Sequence, residues 1–188
     1  MKKLCVYCGS NPGRRPEYIA AARSLAEELL SRGIGLVYGG SNVGIMGELA
    51  DTVLKSGGEV LGIIPQVLVD QEVSHTGLTE LRIVNSMHER KAMMVELSDG
   101  FIALPVGLGT IEELLEVLTW AQLGFHQKPC ALLNASGYYD HLSAFLDHMV
   151  EEGFVKDVHR SMLIIEKNPA LLLDRFADYE PPRTNKWV

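Results

Sequence analysis

Strand-length apolar runs alternate with stretches of helical periodicity from one end of this chain to the other. That alternation leaves few architectures open. Two strands separated by a helix pair most simply side by side and parallel, and a parallel sheet must be covered on both faces because both are apolar. The spacing predicts strands at about 2–8, 35–39, 59–64, 81–84, 100–104, 129–133 and 161–165, and helices at about 14–31, 44–56, 87–98, 110–124, 138–153 and 169–179. In the first helix Ile19, Ala22, Leu25, Ala26, Leu29 and Leu30 form one stripe, and Gly33 follows as a stop. The expected fold is a three-layer α/β structure with a mostly parallel central sheet. No repeat or linker interrupts it, so 1–180 reads as one domain. Two prolines close the last helix, and 181–188 reads as a loosely held tail.

Charge and cysteine use narrow the function classes. A formal net charge of −7, without any lysine or arginine block, repels a polyanion, so nucleic acid is not an expected partner. The apolar runs fall far short of the ~20 residues that cross a bilayer. "MKKLCVYCGS" has too short an apolar segment for a signal peptide, so the protein is expected to be cytoplasmic. Cys5 and Cys8 form a C-x-x-C, but residues three apart on a strand face opposite sides, and Cys130 is the third and last cysteine. Neither a metal nor a redox site is expected.

In an open parallel sheet, ligands bind beyond the carboxyl ends of the strands. Three glycine-bearing turns fall there: "CGSNPG", "GGSNVGIMG" and "PVGLGT". None has the dinucleotide or Walker spacing. A glycine turn between a strand and a helix aims free N–H groups and the positive end of the helix dipole at one point, and phosphate is its usual occupant. The same glycines also serve simply as tight turns. Arg90 lies in line with Met87, Met94 and Leu97, either snorkelling over apolar surface or clamping an anion, and Ser86 is placed to cap its helix. Lys91, one step round, is expected in solvent. Glu112 and Glu113 point about 100° apart on their helix, so one is expected to face a ligand and the other solvent.

With these residues in place the chain resembles the Lonely guy (LOG) family, the cytokinin riboside 5'-monophosphate phosphoribohydrolases long mislabelled as lysine decarboxylases. The resemblance runs nearly end to end, through "VYGGSNVGIMGELAD" and "LTWAQLGFHQKPCALLNASGYYDHL". The family's helix motif M-x-x-R-K is met by MHERK at 87–91, and its P-G-G-x-G-T-x-x-E by PVGLGTIEE at 105–113. It implies a Rossmann-like fold, no cofactor, a homodimer, and a nucleoside 5'-monophosphate substrate such as AMP or isopentenyladenosine monophosphate, cleaved to free base and ribose 5-phosphate. Carried over by motif, Arg90 and Glu113 are catalytic. Gly107, Leu108, Gly109 and Thr110 hold phosphate and ribose, and Glu72, Lys91 and Thr119 contact substrate. The chain shows no recognisable setting for a pyridoxal-phosphate lysine, which argues against decarboxylation. It departs from the motif once: Val106 stands where the family has glycine. A valine is expensive at positive φ and obstructs close approach. The alternatives left open are an AMP nucleosidase and a nucleotide-binding protein with turnover impaired by Val106.

Overall fold

The computed structural model describes residues 1–71 and 73–182. Its centre is a seven-stranded sheet with every pairing parallel, formed by β1 (Lys3–Tyr7), β2 (Gly35–Tyr38), β3 (Val60–Pro65), β4 (Glu80–Val84), β5 (Phe101–Ala103), β6 (Cys130–Leu133) and β7 (Leu163–Glu166). All seven strands lie where the apolar runs place them. The order is β4-β3-β2-β1-β5-β6-β7. The chain winds outward from β1 to one edge, then returns to pair β5 with the other side of β1. The loops after β1 and β5 therefore diverge, and a crevice opens between them at the carboxyl edge.

The strand residues alternate between two apolar layers. Leu4, Val6, Leu36 and Tyr38 meet α1 (Pro16–Ser31), α2 (Gly44–Lys55) and α8 (Pro169–Ala177) on one face. Cys5, Tyr7, Val37 and Phe101 meet α4 (Met87–Glu96) and α5 (Leu108–Gln122) on the other, where Leu142 and Leu146 of α6 (Asp140–Glu151) also pack. Cys5 and Cys8 consequently lie buried in different layers, as period-2 alternation requires.

Three short elements escape a periodicity reading because each is a single turn: α3 (Gln66–Val69), α7 (Asp157–Arg160) and a 3-10 turn at Ala135–Gly137. The last includes a left-handed Ser136 (φ 53°), which delays α6 to Asp140. Among the described residues no helix is long and apolar enough to cross a membrane. Of the C-terminal segment, 181 and 182 are described, and the expectation for 183–188 lies outside the described residues.

Candidate active site

Helix α5 begins at Leu108, two residues earlier than its apolar pattern suggests. Gly107 is the N-cap, with extended φ −86° and ψ −163°, and makes no side-chain capping bond. Gly109 and Thr110 therefore belong to the first helical turn, where backbone N–H groups have no intrahelical acceptor. A glycine is tolerated there because no preceding turn packs against it. A Cβ built on Gly107 or Gly109 would meet nothing within 4 Å, so both glycines border open space. That space is a cleft of about 500 Å³ between the loops after β1 and β5.

Across it, Arg90 leaves the second turn of α4. Ser86 caps this helix, accepting a hydrogen bond from the Glu89 N–H at 3.1 Å, while the Glu89 carboxylate accepts from the Asn85 N–H at 2.8 Å. The cap fixes where the helix starts and hence which residue projects inward. Arg90 is 9% exposed; its Nε donates to the Ile63 carbonyl at 3.1 Å, and Nη1 lies 3.5 Å from Glu113 Oε1. The guanidinium lies over the end of β2, where a Cβ on Gly39 would collide with Nη2. Gly39 is thus part of the site through its missing side chain, a requirement visible only once β2 and α4 are placed together.

Glu113 is buried at 6% exposure. Burial raises its carboxyl above the ordinary glutamate value, and the Arg90 charge pulls part of the way back. Glu112 takes the other direction, exposed at the cleft rim. The pair divides its roles as two residues 100° apart must.

Lys91 corrects an expectation. It is buried at 7% exposure instead of solvated, with Nζ 2.5 Å from Glu112 Oε1 and 3.1 Å from Glu116 Oε1. The hydrogen bond that it donates to Glu112 leads the effects that raise its affinity for a proton. Both carboxylates lie on α5, a helix distant in sequence, so their partnership has no local signature. Of the residues carried over by motif, Arg90, Gly107, Leu108, Gly109, Thr110 and Glu113 line one cleft. Lys91 and Thr119 do not line it; Thr119 is exposed and its hydroxyl donates to the Leu115 carbonyl at 2.7 Å. Glu72 lies outside the described residues. The cleft wall also includes Cys8, Gly9, Ser10 and Asn11 of the first glycine turn, together with Tyr18 and Tyr138.

Val106 occupies the loop without a left-handed φ, since Ser136 is the one non-glycine residue at positive φ among those described. The conformational objection to valine disappears. The steric one is local: Val106 Cγ1 lies 3.0 Å from where a Cβ on Gly9 would stand, so the valine fills the notch that Gly9 leaves.

A parallel sheet whose switch-point crevice combines an uncapped helix N-terminus, open glycines, a buried guanidinium and a buried carboxylate defines an α/β protein equipped for a small anionic ligand. The chain belongs to the Lonely guy (LOG) family. Residues 46–176 match the family described as possible lysine decarboxylase. Over 180 residues, 96% of this chain, it is 47% identical to the probable cytokinin riboside 5'-monophosphate phosphoribohydrolase LOGL9 of Oryza sativa subsp. japonica, covering 79% of that protein. It is 48% identical to the cytokinin riboside 5'-monophosphate phosphoribohydrolase LOG5 of Arabidopsis thaliana over the same shares of both chains. Among solved structures, the molybdenum cofactor binding protein from Rippkaea orientalis shares the fold, with a TM-score of 0.72 at 22% identity over 94% of this chain and 96% of that one.

Proposed function

We propose that this protein hydrolyses the N-glycosidic bond of an adenine-type nucleoside 5'-monophosphate, releasing free base and ribose 5-phosphate. The observation that carries the reading is the Arg90–Glu113 pair, 3.5 Å apart in a cleft that ends on the open first turn of α5. Relatives at 47% and 48% identity named as phosphoribohydrolases support it. The 5'-phosphate is received by the N–H groups at the start of α5 and by their dipole, a remote handle that holds the ribose against the reacting groups. As the bond from C1' to the base breaks, its electron pair leaves with the base and positive charge develops on the ribose. The Glu113 carboxylate stabilises that charge and takes a proton from the attacking water, whose oxygen bonds to C1'; the departing base takes up a proton. Burial makes the ionised Glu113 a stronger base than an exposed glutamate. Arg90 keeps it oriented and offsets negative charge near the reacting centre.

AMP and isopentenyladenosine monophosphate are the two substrates to compare. Incubation with each, followed by chromatography, is expected to show free base from one or both. Preference for AMP identifies an AMP nucleosidase; tight binding of both without base release rejects hydrolysis in favour of a nucleotide-binding protein. Val106 in the cleft wall is the observation that favours this second reading. The working unit is a homodimer in this proposal, supported by apolar side chains that one chain leaves uncovered, Phe125 among them at 74% exposure.

A further inference from the structure

The turn after β6 carries two consecutive tyrosines to the glycine turn after β5. Asn134 braces it, accepting from the Tyr139 N–H at 2.7 Å and donating from Nδ2 to Asp140 Oδ1 at 2.7 Å. Within the turn Ser136 and Gly137 both take left-handed φ, 53° and 72°. The reversal sends the two rings to two backbone carbonyls on either side of Pro105. Tyr139 donates its hydroxyl to the Leu104 carbonyl at 2.6 Å, and Tyr138 donates to the Val106 carbonyl at 2.5 Å.

The two bonds differ in what lies at the other end of each peptide. The Leu104 carbonyl shares its peptide with the nitrogen of Pro105, which carries no hydrogen. The Val106 carbonyl shares its peptide with the N–H of Gly107, and a trans peptide is planar with C=O and N–H pointing opposite ways. Anchoring the oxygen therefore aims the hydrogen. Burial differs as well: Tyr139 is 1% exposed, whereas Tyr138 is 41% exposed and forms part of the cleft wall. Edge-on contacts with Tyr18 and Tyr139, at centroid distances of 5.6 and 4.9 Å, keep the Tyr138 ring in place.

We propose that Tyr138 is a positioning residue for anion binding: by holding the Val106 carbonyl it directs the Gly107 N–H at the substrate's 5'-phosphate. Tyr139, its neighbour, serves stability instead. The proposal rests on the nucleotide-hydrolase reading for its substrate, but the anion it concerns is phosphate itself. Water can replace a half-exposed hydroxyl at a carbonyl, so the Tyr138 bond contributes little to folding and much to where the peptide points.

The test compares Tyr138→Phe, Tyr139→Phe and the parent protein, each as the full chain. Measured quantities are inhibition by inorganic phosphate, kcat/KM for the better nucleotide, the affinity for AMP by calorimetry, and the melting temperature. Tyr138→Phe is expected to weaken phosphate inhibition and AMP binding and to lower kcat/KM by about tenfold, with nearly unchanged melting temperature. Tyr139→Phe is expected to melt lower yet keep the parent's phosphate inhibition. Unchanged phosphate inhibition and AMP affinity in Tyr138→Phe overturn the proposal, whatever happens to the rate. A parent that releases no base rejects the hydrolase reading alone. Calorimetry with AMP then decides for Tyr138, weaker binding in the variant supporting the proposal and equal binding rejecting it.

Discussion

At the residue scale, Glu113 joins burial to basicity. Its carboxyl is raised by desolvation, with Arg90 opposing, so it gains a proton at a higher pH than an exposed glutamate does. The proposed mechanism needs the ionised form, so on that mechanism activity is lost as pH falls through the raised value. The acid limb of kcat/KM is accordingly expected above the ordinary glutamate range; a limb at or below that range would contradict the assignment. Glu113→Gln is expected to lower turnover by at least about 100-fold while AMP still binds, because the missing charge acts mainly in the transition state. Val106 is the second test at this scale. Its branched carbons fill the notch over Gly9 beside the glycine turn after β5. Val106→Gly is expected to raise turnover several-fold by freeing that wall, and to cost about 1 kcal/mol of stability through added backbone freedom. Equal turnover in the two forms would refute the steric argument.

At the element scale, α4 and α5 are joined by a second ion cluster beside the Arg90–Glu113 pair. Lys91 reaches Glu112 and Glu116 from the residue next to Arg90, and these carboxylates flank Glu113 on α5. The cluster sets the distance between the helices that carry the guanidinium and the carboxylate. Lys91 also lowers, and Glu112 and Glu116 raise, the proton affinity of Glu113. Lys91→Met is therefore expected to move the acid limb of kcat/KM to still higher pH. It should also destabilise the fold by roughly 1–3 kcal/mol, since it strips partners from carboxylates around a buried site. A pH–rate profile and a urea melt read both; an acid limb that stays in place would separate this cluster from catalysis.

At the scale of the whole molecule, the α4–α5 side is incompletely covered. Trp120 and Phe125 border a groove with Val95 and His126, and Leu115 and Leu118 are only partly buried. A second copy packed on this side would cover it. Light scattering at micromolar concentration is expected to return about twice the 20.7 kDa of one chain; a value near 20.7 kDa would rule the dimer out.

Local pattern was enough for much of this. The alternation of apolar runs with helical stripes determined the seven strands, the longer helices and the parallel sheet, because the period of apolar residues that marks a buried strand or an amphipathic helix is complete within a short window. The resemblance carried by the two motifs pointed to Arg90, Glu113 and the glycine turn, and these residues line one cleft. Other features needed the chain folded. The start of α5 at Leu108 depends on an extended Gly107, and burial of Lys91 on two carboxylates over twenty residues away. Room for Arg90 comes from a glycine at the end of a neighbouring strand, and the hold on the Val106 carbonyl from a tyrosine 32 residues further on. The last three are contacts between segments distant along the chain, and such contacts are set by the order in which strands pair, which periodicity within any one segment does not encode.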